Sequence, residues 1–218
     1  MMWGRYDRYF HRRQSGYGLV LTGLIFLSAC AQKGDEFYDV QRYDAAADLY
    51  IQAAERGDVP KMMKLAEMYA SGKIDYHRDY KQAVYWYTKA AGQGVVTAMF
   101  ELGFIYEYGQ GGVKQDYTQA VHWYSLAASH GNAYAQYRLA HVQAEQISDV
   151  HSDKSIEAYL SFLQAERMAG DCGDTAECRI VNGDLFNYRW LLERNLTDEQ
   201  KQLARERLNQ ADMAQHPG

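Results

Sequence analysis

Residues 79–94 read DYKQAVYWYTKAAGQG, and residues 116–131 read DYTQAVHWYSLAASHG. The two stretches share one sequence pattern, which recurs after 37 residues. The same offset connects Tyr43, Tyr50 and Gly57 to identical residues in the first stretch. A fixed period of this length indicates a solenoid, in which one supersecondary unit is stacked several times.

The repeating residues predict a pair of antiparallel helices in each unit. Ala83, Ala90 and Ala91 recur on one helical face, where small side chains let another helix approach closely. Trp86 and Tyr87 supply a large buried area beside them. The aspartate that opens each stretch is placed as an N-cap, and the glycine that closes it as a left-handed C-cap. We call the first helix of each pair helix A and the second helix B.

The most complete unit is LGFIYEYGQGGVKQDYTQAVHWYSLAASHG, at residues 102–131. It resembles the Sel1-like repeat, a relative of the tetratricopeptide repeat, and the resemblance covers about residues 43–170. The first full unit departs from the pattern at Ala66, Ile74 and Asp75, where the family has glycines. The resemblance implies an all-α fold, a right-handed α-solenoid of antiparallel helix pairs with C-terminal capping helices.

This interpretation divides the chain into four parts. We expect a lipoprotein signal peptide at 1–29, an acylated tether at 30–39, the solenoid at 40–170, and a disulfide loop with C-terminal capping helices at 171–218. Within the solenoid we expect a partial unit at 43–57, repeats at about 61–94 and 97–131, and a degenerate repeat at 133–170. The last predicted helix begins at Asp198, behind a capping box of Thr197 and Gln200.

The N-terminus has the pattern of a secretory leader. Four arginines precede an apolar run at residues 18–26, which is too short for a bilayer span of about 20 residues. The run ends in Leu27-Ser28-Ala29-Cys30, which resembles a bacterial lipobox and implies acylation at Cys30. No aspartate follows this cysteine, and in similar Gram-negative lipoproteins that favours the outer membrane. A plain cleaved signal is the alternative.

The charge of the chain excludes one class of partner. The expected leader holds four Arg and one Asp, so its removal leaves 19 basic and 27 acidic residues and a net charge of −8. Such a surface has no electrostatic footprint for nucleic acid. Membrane contact would come through the acyl chains of Cys30.

Two further cysteines, Cys172 and Cys178, lie in a polar turn. In an extracytoplasmic compartment such a pair is expected to form a disulfide that closes a small loop. Two free thiols and a metal site remain alternatives, although two thiols without a nearby histidine lack the ligand count for zinc. We therefore predict a disulfide and no metal site.

No motif for catalysis occurs in the chain. The metalloprotease His-Glu-x-x-His, the nucleophile elbow Gly-x-Ser-x-Gly, the Ser-x-x-Lys of penicillin-binding enzymes and a phosphate-binding loop are all absent. Residues 110–112 are glycine-rich, but they join two predicted helices and not a strand to a helix. We expect neither enzymatic activity nor a cofactor.

We predict instead a partner-binding groove on the exposed face of the A helices. Aromatic side chains on such a face suit recognition of a peptide segment or a glycan. Counting along the repeats leaves two interpretations for Phe100 and Tyr137, which either join this face or fill the core between repeats. The predicted groove residues are Met63, Glu67, Phe104, Glu107, Tyr108, Tyr134 and His141, of which Phe104, Tyr108 and His141 are expected to be the most exposed.

The function that these features predict is a non-enzymatic scaffold for protein–protein interaction on the outer membrane. Its partner would be another envelope protein or its peptide segment, in secretion, exopolysaccharide export or a similar assembly. One alternative is a Sel1-like protein that binds or hydrolyses β-lactams, although that group carries a cysteine pair in each repeat. The other alternative is a surface factor that engages host proteins.

Overall fold

The computed structural model describes residues 31–74, 77–147, 152–171 and 192–215, and the regular structure in these ranges is helical. The expected leader, Cys30, Cys172 and Cys178 lie outside the described residues. No helix within these ranges combines the length and the apolar character needed to cross a bilayer.

The helices follow the 37-residue period. From α3 to α8 the helices occur as consecutive pairs, which confirms the predicted all-α solenoid of antiparallel helix pairs. Consecutive helices pack on one another throughout this stretch. Residues 192–195 are helical too, directly before the last helix. The helices are α1 (31–39), α2 (Tyr43–Glu55), α3 (Val59–Ser71), α4 (Tyr80–Ala91), α5 (Val96–Tyr108), α6 (Tyr117–Ser129), α7 (Ala133–Glu145), α8 (Asp153–Asp171) and α9 (Asp198–Gln215).

Helices α1, α3, α5 and α7 are A helices, and α2, α4, α6 and α8 are B helices. The predicted N-caps are confirmed on two of the B helices. The side chain of Asp79 accepts hydrogen bonds from the backbone N–H groups of Lys81 and Gln82, each at 3.0 Å. Asp116 accepts one from Gln119 at 3.0 Å. These bonds satisfy N–H groups that have no partner inside the helix.

A glycine in the left-handed conformation lies in each turn from a B helix to the next A helix. Gly57, Gly94 and Gly131 have φ values of 99°, 84° and 86°. A Cβ at any of the three would meet no atom within 4 Å, so there is room for a side chain. Glycine is required here because of the left-handed backbone conformation. The prediction placed Gly94 at the C-cap of α4. The C-cap is Gly92, and the left-handed residue follows two positions later.

The alanine face predicts the core correctly. Ala83, Ala90 and Ala91 are buried, together with Trp86 and Tyr87. A second cluster of buried residues lies at the C-terminal end, where α9 packs against α8. The members of that cluster include Tyr137, Phe162, Leu192, Leu196 and Ala204. The C-terminal helices therefore cover the end of the solenoid, and the Thr197–Gln200 capping box is present in both directions.

The expected tether at 30–39 and the truncated first unit require correction. Residues 31–39 form helix α1, and Gly34 in it is buried so tightly that a Cβ would lie 2.6 Å from the ring of Tyr50. The carboxylate of Asp35 accepts a 2.7 Å hydrogen bond from the Tyr50 hydroxyl and forms a 2.6 Å ion pair with Lys61. Helix α1 is thus helix A of the first pair, which makes the unit around residues 43–57 complete.

Candidate functional site

Five of the seven predicted groove residues reach the surface of the A helices. Tyr108 is 51% exposed and Glu67 is exposed as well, on α5 and α3 respectively. Met63, Phe104 and Tyr134 are half-buried. We call the surface that these five residues form on α3, α5 and α7 the A-helix face.

Aromatic rings run across the A-helix face from one repeat to the next. The rings of Phe104 and Tyr108, one helical turn apart on α5, lie 4.8 Å apart between centroids. Phe100 on α5 contacts Tyr134 on α7, with centroids at 5.2 Å. Tyr137 is only 3% exposed and belongs to the core, whereas Phe100 stays half-buried. Tyr137 therefore fills the core between repeats, whereas Phe100 borders the A-helix face.

Glu107 does not belong to the exposed face, because it is 3% exposed. Its Oε2 accepts a 2.7 Å hydrogen bond from the Tyr124 hydroxyl and a 3.2 Å bond from Nε of Arg138, whose Nη2 forms an ion pair with Oε1. Glu107 stands at the repeat position that holds Ala70 and Ala144 in the neighbouring units. Its longer side chain points inward between α5, α6 and α7, which explains the error in the prediction.

Electrostatics keeps Tyr124 neutral and Arg138 charged in this buried group. Burial and then the negative charge of Glu107 raise the pKa of Tyr124, so the phenol remains a neutral donor. Burial opposes the charge on Arg138, but the hydrogen bond and charge of Glu107 outweigh it and raise the pKa of the guanidinium. Arg138 is therefore a permanent cation inside the solenoid.

Arg138 also holds Tyr108 in place. Its Nη2 donates a 2.6 Å hydrogen bond to the Tyr108 hydroxyl, and its guanidinium carbon lies 5.5 Å from the centre of the same ring. The exposed aromatic ring is thus fixed from below by a buried charge. An aromatic side chain that is already ordered loses little conformational entropy when a partner covers it.

His141, expected to be exposed, is 8% exposed and packs toward Tyr137, with ring centroids 6.3 Å apart. Its Nε2 lies 3.7 Å from Oε1 of Glu145. One potential ligand atom from each of Glu107, His141 and Glu145 lies within 4.8 Å of the others. A metal ion there would compete with the Arg138 guanidinium for Glu107, so these residues fit a metal poorly.

Two groups of the same design join neighbouring A helices, and we call each a polar clasp. In both, a tyrosine of helix B donates to a carboxylate of its own helix A, and this carboxylate binds a cation of the next helix A. The first clasp consists of Tyr50, Asp35 and Lys61, and the second of Tyr124, Glu107 and Arg138.

A shallow cavity of about 350 Å³ lies between the B helices α2 and α4 and the A helix α3. Tyr85 at its edge is 48% exposed, and the Lys89 ammonium lies 4.6 Å from the centre of that ring. The repeat pattern does not predict this cavity, because the positions equivalent to Tyr85 hold Asp48 and His122. The lining residues are Ile51, Glu55, Tyr69, Gln82, Tyr85 and Trp86.

The sequence profile described as "Sel1 repeat" matches residues 23–58, 62–95, 96–132 and 133–147, which is more than half of the chain. The chain belongs to the Sel1 repeat family. Sel1 repeats act as scaffolds for protein–protein interaction. In this Sel1 repeat protein the first match includes α1, in agreement with a complete first pair. It also overlaps the end of the expected leader.

Two solved structures have the same fold. A Sel1 repeat protein from Oxalobacter formigenes is 27% identical, with a TM-score of 0.50, over 66% of this chain and 59% of that one. The protein c5321, described as a protective antigen of uropathogenic Escherichia coli strains displaying an SLR fold, is 20% identical, with a TM-score of 0.52, over 86% of this chain and 53% of that one.

This Sel1 repeat protein therefore spans less than two thirds of either structure. The likeness to c5321 shows the fold alone. Among curated proteins, none matches the chain significantly.

Proposed function

We propose that this Sel1 repeat protein is a non-enzymatic scaffold that binds a segment of another protein along its A-helix face. The observation that carries the proposal is the exposed ring of Tyr108, which packs against Phe104 and is fixed by the buried Arg138. Aromatic side chains of this kind dominate binding energy at protein interfaces, because they bury a large area and keep a polar group for hydrogen bonding.

The position of this ring within the solenoid supports an extended partner. Phe100 and Tyr134 continue the aromatic surface from α5 to α7, and Met63 and Glu67 extend the A-helix face onto α3. A segment that crosses several repeats contacts one strip of side chains from each helix, as in other repeat proteins with extended binding surfaces. We therefore assign the partner segment to the direction that runs across the A helices.

The cellular setting is also a proposal, and it rests on the sequence. We place the protein at the outer membrane, anchored by acyl chains on Cys30, with a partner in an envelope assembly such as secretion or exopolysaccharide export. Helix α1 is helical from residue 31, so the solenoid would begin directly beside the anchor. A Cys172–Cys178 disulfide would suit the same oxidising compartment.

Of the two alternatives, β-lactam binding has the weaker support. The related proteins linked to β-lactams carry a cysteine pair in each repeat. Here the two cysteines beyond Cys30 both follow residue 170, outside the clear repeats. A partner on the host is separated from an envelope partner only by identifying the protein that binds.

A double substitution, Phe104→Ala with Tyr108→Ala, tests the proposed surface. Detergent-solubilised envelope is passed over the immobilised parent and over the variant, and retained proteins are identified by mass spectrometry. We expect the variant to lose the partner of the parent, since truncating an aromatic hot spot commonly costs about 2 kcal/mol or more of binding free energy.

Tyr85→Ala is the matched control, because Tyr85 is exposed to nearly the same degree on a B helix. It should retain the partner. Loss of the partner in Tyr85→Ala together with its retention in the double variant would contradict the proposal and move the site to the cavity beside α4. Melting curves of both variants show whether the fold is intact.

A further inference from the structure

The cavity between α2, α3 and α4 is separate from the A-helix face and has the size of a small-molecule site. Its volume of about 350 Å³ falls at the lower end of the usual range, which runs from about 300 to 1,000 Å³. The lining combines aromatic residues with one acidic residue and one amide. The cavity is therefore large enough for one small ligand, or for one ring of a longer ligand.

Two aromatic rings of α4 form a corner at this cavity. The centroids of Tyr85 and Trp86 lie 4.9 Å apart, and the two ring planes are inclined at 80°. Trp86 is 4% exposed and fixed in the core, whereas Tyr85 is 48% exposed. A third aromatic residue, Tyr69, lines the cavity from α3 and is half-buried. Tyrosine and tryptophan combine an apolar ring with a polar group, so they suit a ligand that has both characters.

The charges around the cavity favour a neutral ligand. Nζ of Lys89 lies 4.6 Å from the ring centre of Tyr85 and 5.0 Å from that of Trp86. The protein's own ammonium group thus occupies the position at which these rings would bind a cation. Glu55 in the lining carries the opposite charge. Any ion would be attracted by one of these two groups and repelled by the other, so neither sign of charge is selected.

The polar residues of the lining favour a ligand with hydroxyl groups. The amide of Gln82 can donate and accept hydrogen bonds, and the carboxylate of Glu55 accepts them. Both residues are exposed, and neither side chain is hydrogen-bonded to another described residue. A hydroxyl group also donates and accepts, so one neutral ligand with several hydroxyls can bind both side chains.

We propose that this cavity binds one pyranose ring of a neutral carbohydrate. The C–H groups on one face of a pyranose pack on the exposed ring of Tyr85, and the hydroxyls at its rim bind Gln82 and Glu55. These residues belong to the B helices α2 and α4, whereas Phe104 and Tyr108 belong to the A helix α5. The sugar site and the proposed protein-binding face therefore stand or fall independently.

The next junction along the stack offers an internal comparison. At the positions equivalent to Glu55 and Tyr85 it has Gly92 and His122. This junction thus lacks both the carboxylate and the exposed phenol. We expect no sugar site there, and the exposed His122 provides a control position.

The test uses the full chain in detergent and the methyl β-pyranosides of glucose, galactose, mannose and N-acetylglucosamine as probes. Sorbitol is the matched control, because it has the hydroxyl groups of a sugar without the rigid ring face. Binding is followed by NMR from the indole N–H of Trp86 and the side-chain amide of Gln82. We expect at least one pyranoside to shift both resonances with a Kd of about 1–10 mM, and sorbitol to shift neither. No shift by any pyranoside at about 100 mM, where such a site is nearly full, would overturn the proposal.

Substitution of the exposed ring tests how the sugar is held. Tyr85→Ala should weaken binding of the pyranoside about tenfold, because the apolar face of the sugar loses its contact. His122→Ala, at the equivalent exposed position on α6, should bind it like the parent. Melting curves show that both variants are folded. Equal affinities in the parent and in Tyr85→Ala would overturn the proposal.

The outcomes distinguish the sugar site from the proposed function. The variant Phe104→Ala with Tyr108→Ala should lose the protein partner and keep the sugar. If it keeps both, the protein-binding face is wrong and the sugar site stands. Pyranoside shifts confined to the A-helix face would overturn the sugar site in the cavity. Loss of a protein partner in Tyr85→Ala without any loss of pyranoside binding would assign the cavity to a protein segment and overturn it as well.

Discussion

The hydroxyl of Tyr124 on α6 donates a 2.7 Å hydrogen bond to the carboxylate of Glu107 on α5, in the interior of the solenoid. Arg138 on α7 binds the same carboxylate, so one acidic group connects three helices of two repeats. The stability of a repeat protein is roughly the sum of the units and of the interfaces between neighbours. This group is therefore part of one interface and not of one unit.

Arg138→Met should strongly destabilise the protein, because it leaves the Glu107 carboxylate buried without its cation. Removing one partner of a buried ion pair costs about 3–5 kcal/mol. The measurement is urea unfolding followed by circular dichroism. The double variant Glu107→Ala with Arg138→Met should recover most of the loss, since the equivalent positions of Glu107 hold alanine. A single variant as stable as the parent would show that the pair contributes nothing to the interface.

Gly103→Ala should destabilise the fold although alanine favours helices. A Cβ at this position would lie 2.6 Å from the ring of Tyr124, which is fully buried and held by its hydrogen bond. Overpacking of this kind costs about 1–3 kcal/mol, against a gain of about 1 kcal/mol in helix propensity. Gly92→Ala is the comparison, because its Cβ would meet only ordinary contacts at 3.5 Å. It should stabilise slightly, and a melting-temperature rise in both variants would contradict the expectation.

The two equivalent tryptophans should respond differently to truncation. Trp86 is fully packed, so Trp86→Ala should cost about 3–5 kcal/mol of the free energy of unfolding. Trp123 is half-buried, and among the described residues its buried indole N–H has no hydrogen-bond partner. Trp123→Ala should cost less, and Trp123→Phe should be close to neutral because it removes a donor that costs about 1–3 kcal/mol unpaired. Equal losses for the two alanine variants in denaturant unfolding would refute this ranking.

Glu101 should make the stability of the protein depend on pH. Burial and the charge of Glu67 raise its pKa in the folded state above the ordinary value of 4.5. The folded chain thus holds this proton more tightly than the unfolded chain, and stability falls as the pH rises from that value through the raised one. Relative to the parent, Glu101→Gln should be more stabilising at about pH 7 than at about pH 4. An equal stability difference between parent and variant at both pH values would contradict a raised pKa of Glu101.

Cys30→Ser tests the proposed anchor. Several acyl chains hold a protein stably on a membrane, whereas one chain or none does not. The variant should leave the membrane fraction for the soluble periplasm, or remain with its leader uncleaved. Fractionation and intact-mass measurement of parent and variant decide between these states. If parent and variant fractionated identically and were processed to the same extent by intact mass, the lipoprotein proposal would be wrong.

The 37-residue offset predicts the helices well, because each repeated residue does the same packing task in every unit. The offset does not predict helix α1. Subtracting the offset from Leu65 and Tyr69 gives Ser28 and Gln32, so no repeat residue marks the helix. Its attachment through Asp35 depends on a contact with Lys61, 26 positions away.

The A-helix face was predicted less completely. The repeat register indicates on which face of a helix a residue lies, but it does not predict the hydrogen bonds that a long side chain makes. Tyr108 lies where counting places it. Glu107 turns inward because Tyr124 and Arg138 offer it hydrogen bonds. His141 lies one turn beyond Tyr137, on a helix that the C-terminal residues cover, beyond the range where the repeat predicts contacts.

The unequal clasps have a mechanical consequence. The junctions α1/α3 and α5/α7 each carry an ion pair between neighbouring A helices, and among the described residues the junction α3/α5 between them has none. A stacked array curves by small rotations between adjacent units, and it yields first where the units are held least firmly. We therefore expect the rod to flex at its centre while both ends stay stiff.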